Sequence, residues 1–201
     1  MQVLLLLAVL LTIGLTLFLM PIKASAHCDT YDGPAATDAR KSLETGNINY
    51  ALKWIFSESE EELKKIFELS RNVRVLSPEA QESADQYFQE SLIRIHRAGE
   101  GAPFDGMKPS GAPVDPRVAA ADKSLEVGNL SSFEGVLPKE EVEALEGKFQ
   151  RALELKDYDT NDLDAAREYI EAYVIFFKTA EGEEHEHGHG EHGHDEHTHQ
   201  H

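Results

Sequence analysis

The chain has 201 residues, with 37 Asp and Glu against 19 Lys and Arg and a formal net charge of -18. That sign excludes a nucleic-acid backbone or an anionic membrane surface as an electrostatically favoured partner, since both need basic patches. The chain has one cysteine, Cys28, which excludes an internal disulfide.

Val3 to Ile22 is nearly unbroken apolar sequence, followed by Lys23 and by Ala24-Ser25-Ala26, a small-x-small cleavage signal. Residues 1–26 are therefore expected to be a secretory signal peptide that directs the protein to the periplasm or the cell exterior. The leader has no Lys or Arg ahead of its apolar run, and that run is long enough to cross a bilayer. An uncleaved membrane anchor is the alternative. A lipoprotein signal is not expected, because His27 is too bulky ahead of Cys28. Lys23 is the leader's only charged residue, so the mature chain carries 18 basic and 37 acidic groups, and 18 − 37 = −19.

Cleavage after Ala26 gives His27 a free α-amine. Residues 27–34 then form a hook holding the amine, the His27 imidazole, the Cys28 amide nitrogen and the Cys28 thiolate. Amine, amide and thiolate can close fused chelate rings in one plane, and square-planar N/S sites favour Ni(II) or Cu(II). The His27 imidazole would sit above that plane. A fourth planar ligand has to come from elsewhere, with Asp29, Asp32 and His96 as candidates.

Lys41-Ser-Leu-Glu-Thr-Gly-Asn47 recurs as Lys123-Ser-Leu-Glu-Val-Gly-Asn129, at an offset of 123 − 41 = 82. At the same offset Ala84 and Tyr87 answer Ala166 and Tyr169, Leu92 answers Val174, and Ile95 answers Phe177. The predicted architecture is an all-α helical bundle of two tandem repeats of about 60 residues, 35–97 and 117–178, too few for a solenoid array. Ala84, Tyr87, Phe88, Leu92 and Ile95 share one helical face, as do Ala166, Tyr169, Ile170, Tyr173, Val174 and Phe177. Ser57 with Glu60 has the form of a capping box. Ser77-Pro78 and Asp115-Pro116 read as N-cap followed by Pro, and Gly46 and Gly128 as C-terminal glycines. The Gly/Pro-rich connection, 98–116, is long for a linker inside a compact domain and is read as an ordered loop near a site.

Outside the tail the only histidines are His27 and His96. His96 lies near the end of the first repeat, and the second repeat has Lys178 in its place. It is either a helix-end histidine favoured by the helix dipole or a ligand facing the mature N-terminus. Arg94, Arg97 and Glu100 read as ion-pairing residues.

Residues 179–201 form a His-rich tail with His185, His187, His189, His192, His194, His197, His199 and His201, interleaved with Gly, Glu and Asp. This composition cannot form a core, so disorder is expected. Imidazoles at that density bind Zn, Ni or Cu with little geometric discrimination.

His27-Cys-Asp-Thr-Tyr-Asp-Gly-Pro34, the two Lys-Ser-Leu-Glu-x-Gly-Asn segments and Ile95-His-Arg-Ala-Gly-Glu-Gly-Ala-Pro-Phe104 together resemble an uncharacterised family of exported bacterial proteins. That resemblance supports the boundaries above and implies no activity. The hook alone also resembles that of nickel superoxide dismutase, a helical bundle whose mature chain starts His-Cys-Asp. His27, Cys28, Asp29 and Gly33 fall in matching positions. Asp32 stands where that enzyme has its second cysteine, and a carboxylate is the harder ligand. The likeness thus implies metal binding more than dismutation.

The sequence therefore predicts an exported transition-metal-binding protein with an ordered candidate site at His27, Cys28, Asp32 and His96. Ni or Cu is favoured there, and Zn, Ni or Cu at the tail. If the protein is an enzyme, the expected type is a metal-dependent oxidoreductase resembling superoxide dismutase. Metal ions are the expected partners, with no nucleic acid, no membrane after cleavage, and homo-oligomerisation left open. The alternative is a helical interaction or scaffold module with a free or intermolecularly paired Cys28. A hydrolase is disfavoured, for the chain has no nucleophile motif, no H-E-x-x-H and no phosphate loop.

Overall fold

The computed structural model of the 201-residue chain describes residues 28–182. The leader, His27 and the tail histidines lie outside the described residues. Within them the protein is helical: seven α-helices, two short 3-10 turns and one isolated parallel bridge, Thr30 to Lys108. No described helix is long and apolar enough to cross a membrane.

The described chain forms two compact units, 28–114 with Asp159–Arg167, and Asp115–Tyr158 with 168–182. The first holds α1 (Pro34–Thr45), α2 (Asn49–Leu52), α3 (Glu60–Val73) and α4 (Pro78–Gly99). Helix α4 packs on both α1 and α3. Ala84, Phe88, Leu92 and Ile95 line its buried face, spaced by three or four residues. Ser77 caps it by accepting from the Ala80 amide, and Pro78 supplies a pre-set φ at the first turn.

The second unit holds α5 (Pro116–Val127) and α6 (Lys139–Leu155), which pack on each other and on the 3-10 turn Leu130–Phe133. Most of α7 (Leu163–Glu181) also belongs to this unit, and its Phe176 ring lies 5.6 Å from Phe149 and 6.2 Å from Phe133. Asp115 caps α5 as expected, through the Arg117 amide.

Local details recur at a constant spacing. Helices α1 and α5 are both 12 residues long, and 116 − 34 = 82. Each ends at a left-handed glycine, Gly46 at φ 75° and Gly128 at φ 77°. Their amides donate to Ser42 O and Ser124 O. The Asn47 and Asn129 side chains each accept from the amide two residues on, at 3.0 Å. Arg74 donates to the Leu43 carbonyl, and Lys156 to that of Leu125. Leu63 and Phe67 are buried in one unit, Leu145 and Phe149 in the other. A β-carbon at Gly128 would meet nothing within 4 Å. Gly128→Ala is therefore expected to cost only backbone strain, about 1 kcal/mol. A thermal midpoint equal to that of the wild type would show that the left-handed cap contributes nothing.

Two sequence expectations need correction. Ser57 opens a 3-10 turn and bonds the Glu58 side chain, while α3 begins at Glu60 without a side-chain cap, so Ser57 and Glu60 do not form a capping box. Tyr87 is 48% exposed, because it sits at the rim of the α4 face rather than within it. Helix α4 also runs to Gly99 and α7 to Glu181, a little beyond the predicted ends.

Candidate functional site

The hook is part of the folded first unit. Cys28, Asp29 and Thr30 are buried, Cys28 to 4% exposure. Main-chain bonds join this segment to the Gly/Pro-rich loop: Lys108 N donates to Asp29 O at 2.7 Å, and Tyr31 N donates to Lys108 O at 3.1 Å. Gly33 N closes a turn onto Thr30 O. The Asp32 carboxylate accepts from the Gly111 amide at 2.8 Å. Tyr31 Oη donates to Glu90 and accepts from Gln86. The loop is thus an ordered partner of the hook.

The C-terminal end of α4 supplies the charged groups beside it. Arg97, itself buried, places Nε 3.5 Å from Asp29 Oδ1 and Nη1 3.4 Å from Glu100 Oε2. His96 Nε2 lies 3.8 Å from Glu100 Oε1. His96 Nδ1 lies 2.7 Å from the Trp54 carbonyl, which can only accept. Nδ1 therefore carries the hydrogen, and neutral His96 has its lone pair on Nε2. The Trp54 ring meets the imidazole edge-on at 5.9 Å. Trp54 is held in turn by Asp38, whose Oδ2 accepts from the indole N–H and pairs with Lys53.

Burial pushes the Asp29 carboxyl above the usual aspartate range, and the nearby Glu100 carboxylate adds to this. Arg97, Lys108 and His96 pull it back. Burial also raises the Tyr31 hydroxyl, helped by its bond to Glu90.

The four predicted site residues fare differently. Cys28 and His96 are both buried in the first unit. Asp32 is exposed, with its carboxylate engaged by the loop amide. His27 lies outside the described residues. Among the described residues no group of three or more His, Cys, Asp and Glu side chains is arranged to hold a metal ion. Sequence reasoning missed Trp54, Asp38 and Lys53, and it took Arg97 for a surface ion-pairing residue. That Trp54 is the chain's one tryptophan was the only available clue.

The polar cluster has no equivalent 82 residues on. Asp29, Asp38, Lys53, Trp54, His96, Arg97 and Glu100 correspond there to Gly111, Ala120, Gly135, Val136, Lys178, Thr179 and Gly182.

No curated protein and no solved structure matches the chain. One family model matches residues 32–179, a span that includes His96, Arg97 and the loop but starts beyond Cys28 and Asp29. By that match the chain belongs to the family described as "Family of unknown function (DUF6448)".

Proposed function

We propose that the mature protein is an exported transition-metal-binding protein with an ordered centre at its N-terminal hook. The donors are the His27 amine and imidazole and the Cys28 thiolate, with His96 Nε2 or the Asp32 carboxylate as a further ligand. Ni or Cu suits this donor set, and the tail from His185 to His201 collects Zn, Ni or Cu. A redox activity of superoxide dismutase type is its sharpest form.

One observation carries this reading: a buried charged cluster stands beside Cys28 and is absent from the equivalent positions of the second unit. Buried ion pairs seldom stabilise a fold better than apolar packing does. A unit with the same caps, turns and core positions does without them, so their retention here points to a role other than packing. The reading takes the two units as a tandem duplication, which the constant 82-residue spacing of caps, turn bonds and core residues supports.

The test uses a chain from His27 to Gly182. That end point keeps the Glu181 carbonyl that accepts from Arg117 and removes the tail histidines. Wild type is expected to bind one Ni or Cu, with Cys28→Ser and His96→Ala binding at least roughly tenfold more weakly. If wild type binds no better than the variants, the ordered centre is wrong and only the tail remains. A superoxide assay on the loaded chain then tests the redox form.

A helical interaction module is the second reading. It is favoured by the exposed apolar residues at the α3–α4 turn, where Val75 and Leu76 are 78% and 74% exposed. A dimer that collapses on reduction would support it.

A further inference from the structure

Residues 28–30 are buried in the full chain, leader included, and only His27 separates Cys28 from the Ala24-Ser25-Ala26 signal. The hook needs no free amine to dock. Its ties are the two main-chain bonds to Lys108, Asp32 to Gly111, Tyr31 to Glu90 and Gln86, and Asp29 beside Arg97. Proteases act on segments that are exposed or locally opened, and the residues flanking the cut on both sides must be drawn out into the enzyme's cleft. With Cys28 and Asp29 held in the fold, the bond after Ala26 has no slack on its C-terminal side.

We infer that docking of the hook and removal of the leader compete, so that the Ala26–His27 bond is cut only before residues 28–33 have docked. In the cut, a membrane-bound signal peptidase adds water across that bond, leaving a carboxylate on Ala26 and an amine on His27. A chain that folds first keeps its apolar leader and stays anchored. One gene product thus divides into a released form with the amine-bearing hook and an anchored form without that amine. This inference rests on the cleavage signal and the buried hook and does not depend on any metal.

The experiment places folded full-length chain in phospholipid vesicles with purified signal peptidase. It is compared with the same chain synthesised in the presence of those vesicles. The nascent chain is expected to be cut after Ala26 and the folded chain roughly tenfold more slowly or not at all. The double variant Tyr31→Phe/Asp32→Ala removes two side-chain ties while leaving the cleavage signal intact. It is expected to speed cutting of the folded chain by roughly tenfold, because cleavage follows the population of the opened hook. Circular dichroism checks that its helices persist, and Tyr31→Phe alone serves if they do not. Three results would overturn the inference: folded wild type cut as fast as nascent chain, a variant no faster than wild type, or no cutting in either state.

Discussion

Truncating Phe88 to alanine is expected to lower the free energy of unfolding by about 4 kcal/mol, the largest effect of any single change outside the hook. The ring is fully buried on α4, 5.4 Å from the Phe67 ring, in the helix that packs on both α1 and α3. Its removal loses the transfer free energy of the ring and leaves a cavity that three helix backbones cannot close. In a chain of this size the loss corresponds to a fall in melting temperature of roughly 8–16 °C. Tyr87→Ala is the control. It is the adjacent residue and half exposed, and its loss should stay within about 0.5 kcal/mol. Urea denaturation of both variants decides the matter: equal midpoints would mean that the face of α4 has been misplaced.

Arg97→Ala comes next, with an expected loss of about 3 kcal/mol. The guanidinium lies between Asp29 and Glu100, and both it and Asp29 are buried. Removing it leaves an unpaired carboxylate in a poorly solvated place, which is the costly way to break such a pair. The Asp29→Leu/Arg97→Met double variant should recover most of that loss, because an apolar pair of similar volume needs no solvation. The position 82 residues after Arg97 already holds Thr179. If Arg97→Ala costs less than about 0.5 kcal/mol, water reaches the pair and the cluster is not the dry site described above.

Local chemistry was legible in the sequence and distant pairing was not. Ser77-Pro78, Asp115-Pro116, Gly46 and Gly128 mark helix ends because a cap depends only on residues a few positions away. The capping box at Ser57 failed for a related reason: the motif fixes which bonds are possible, and the chain took a 3-10 turn there instead. Tyr87 shares the period of the buried face but lies at its rim, and periodicity alone cannot place that rim. The hook was recognisable as donor-rich, yet nothing in the order of residues joins Asp29 to Lys108 or His96 to the Trp54 carbonyl. Those contacts arise only when α4 brings the loop and the second helical turn of the unit to the chain's start. Arg97 was misread because an arginine near a helix end is usually solvated, and only the docked hook covers it.

The bridge between the hook and the loop is made by peptide groups, while the Lys108 side chain points into solvent. Such a seam imposes almost no demand on residue identity. Most substitutions at 108 leave the clasp closed, and proline, which lacks the amide hydrogen given to Asp29, is the exception. Relatives of this protein are therefore free to redecorate the rim of the hook, changing its charge or bulk, without loosening the backbone that holds it.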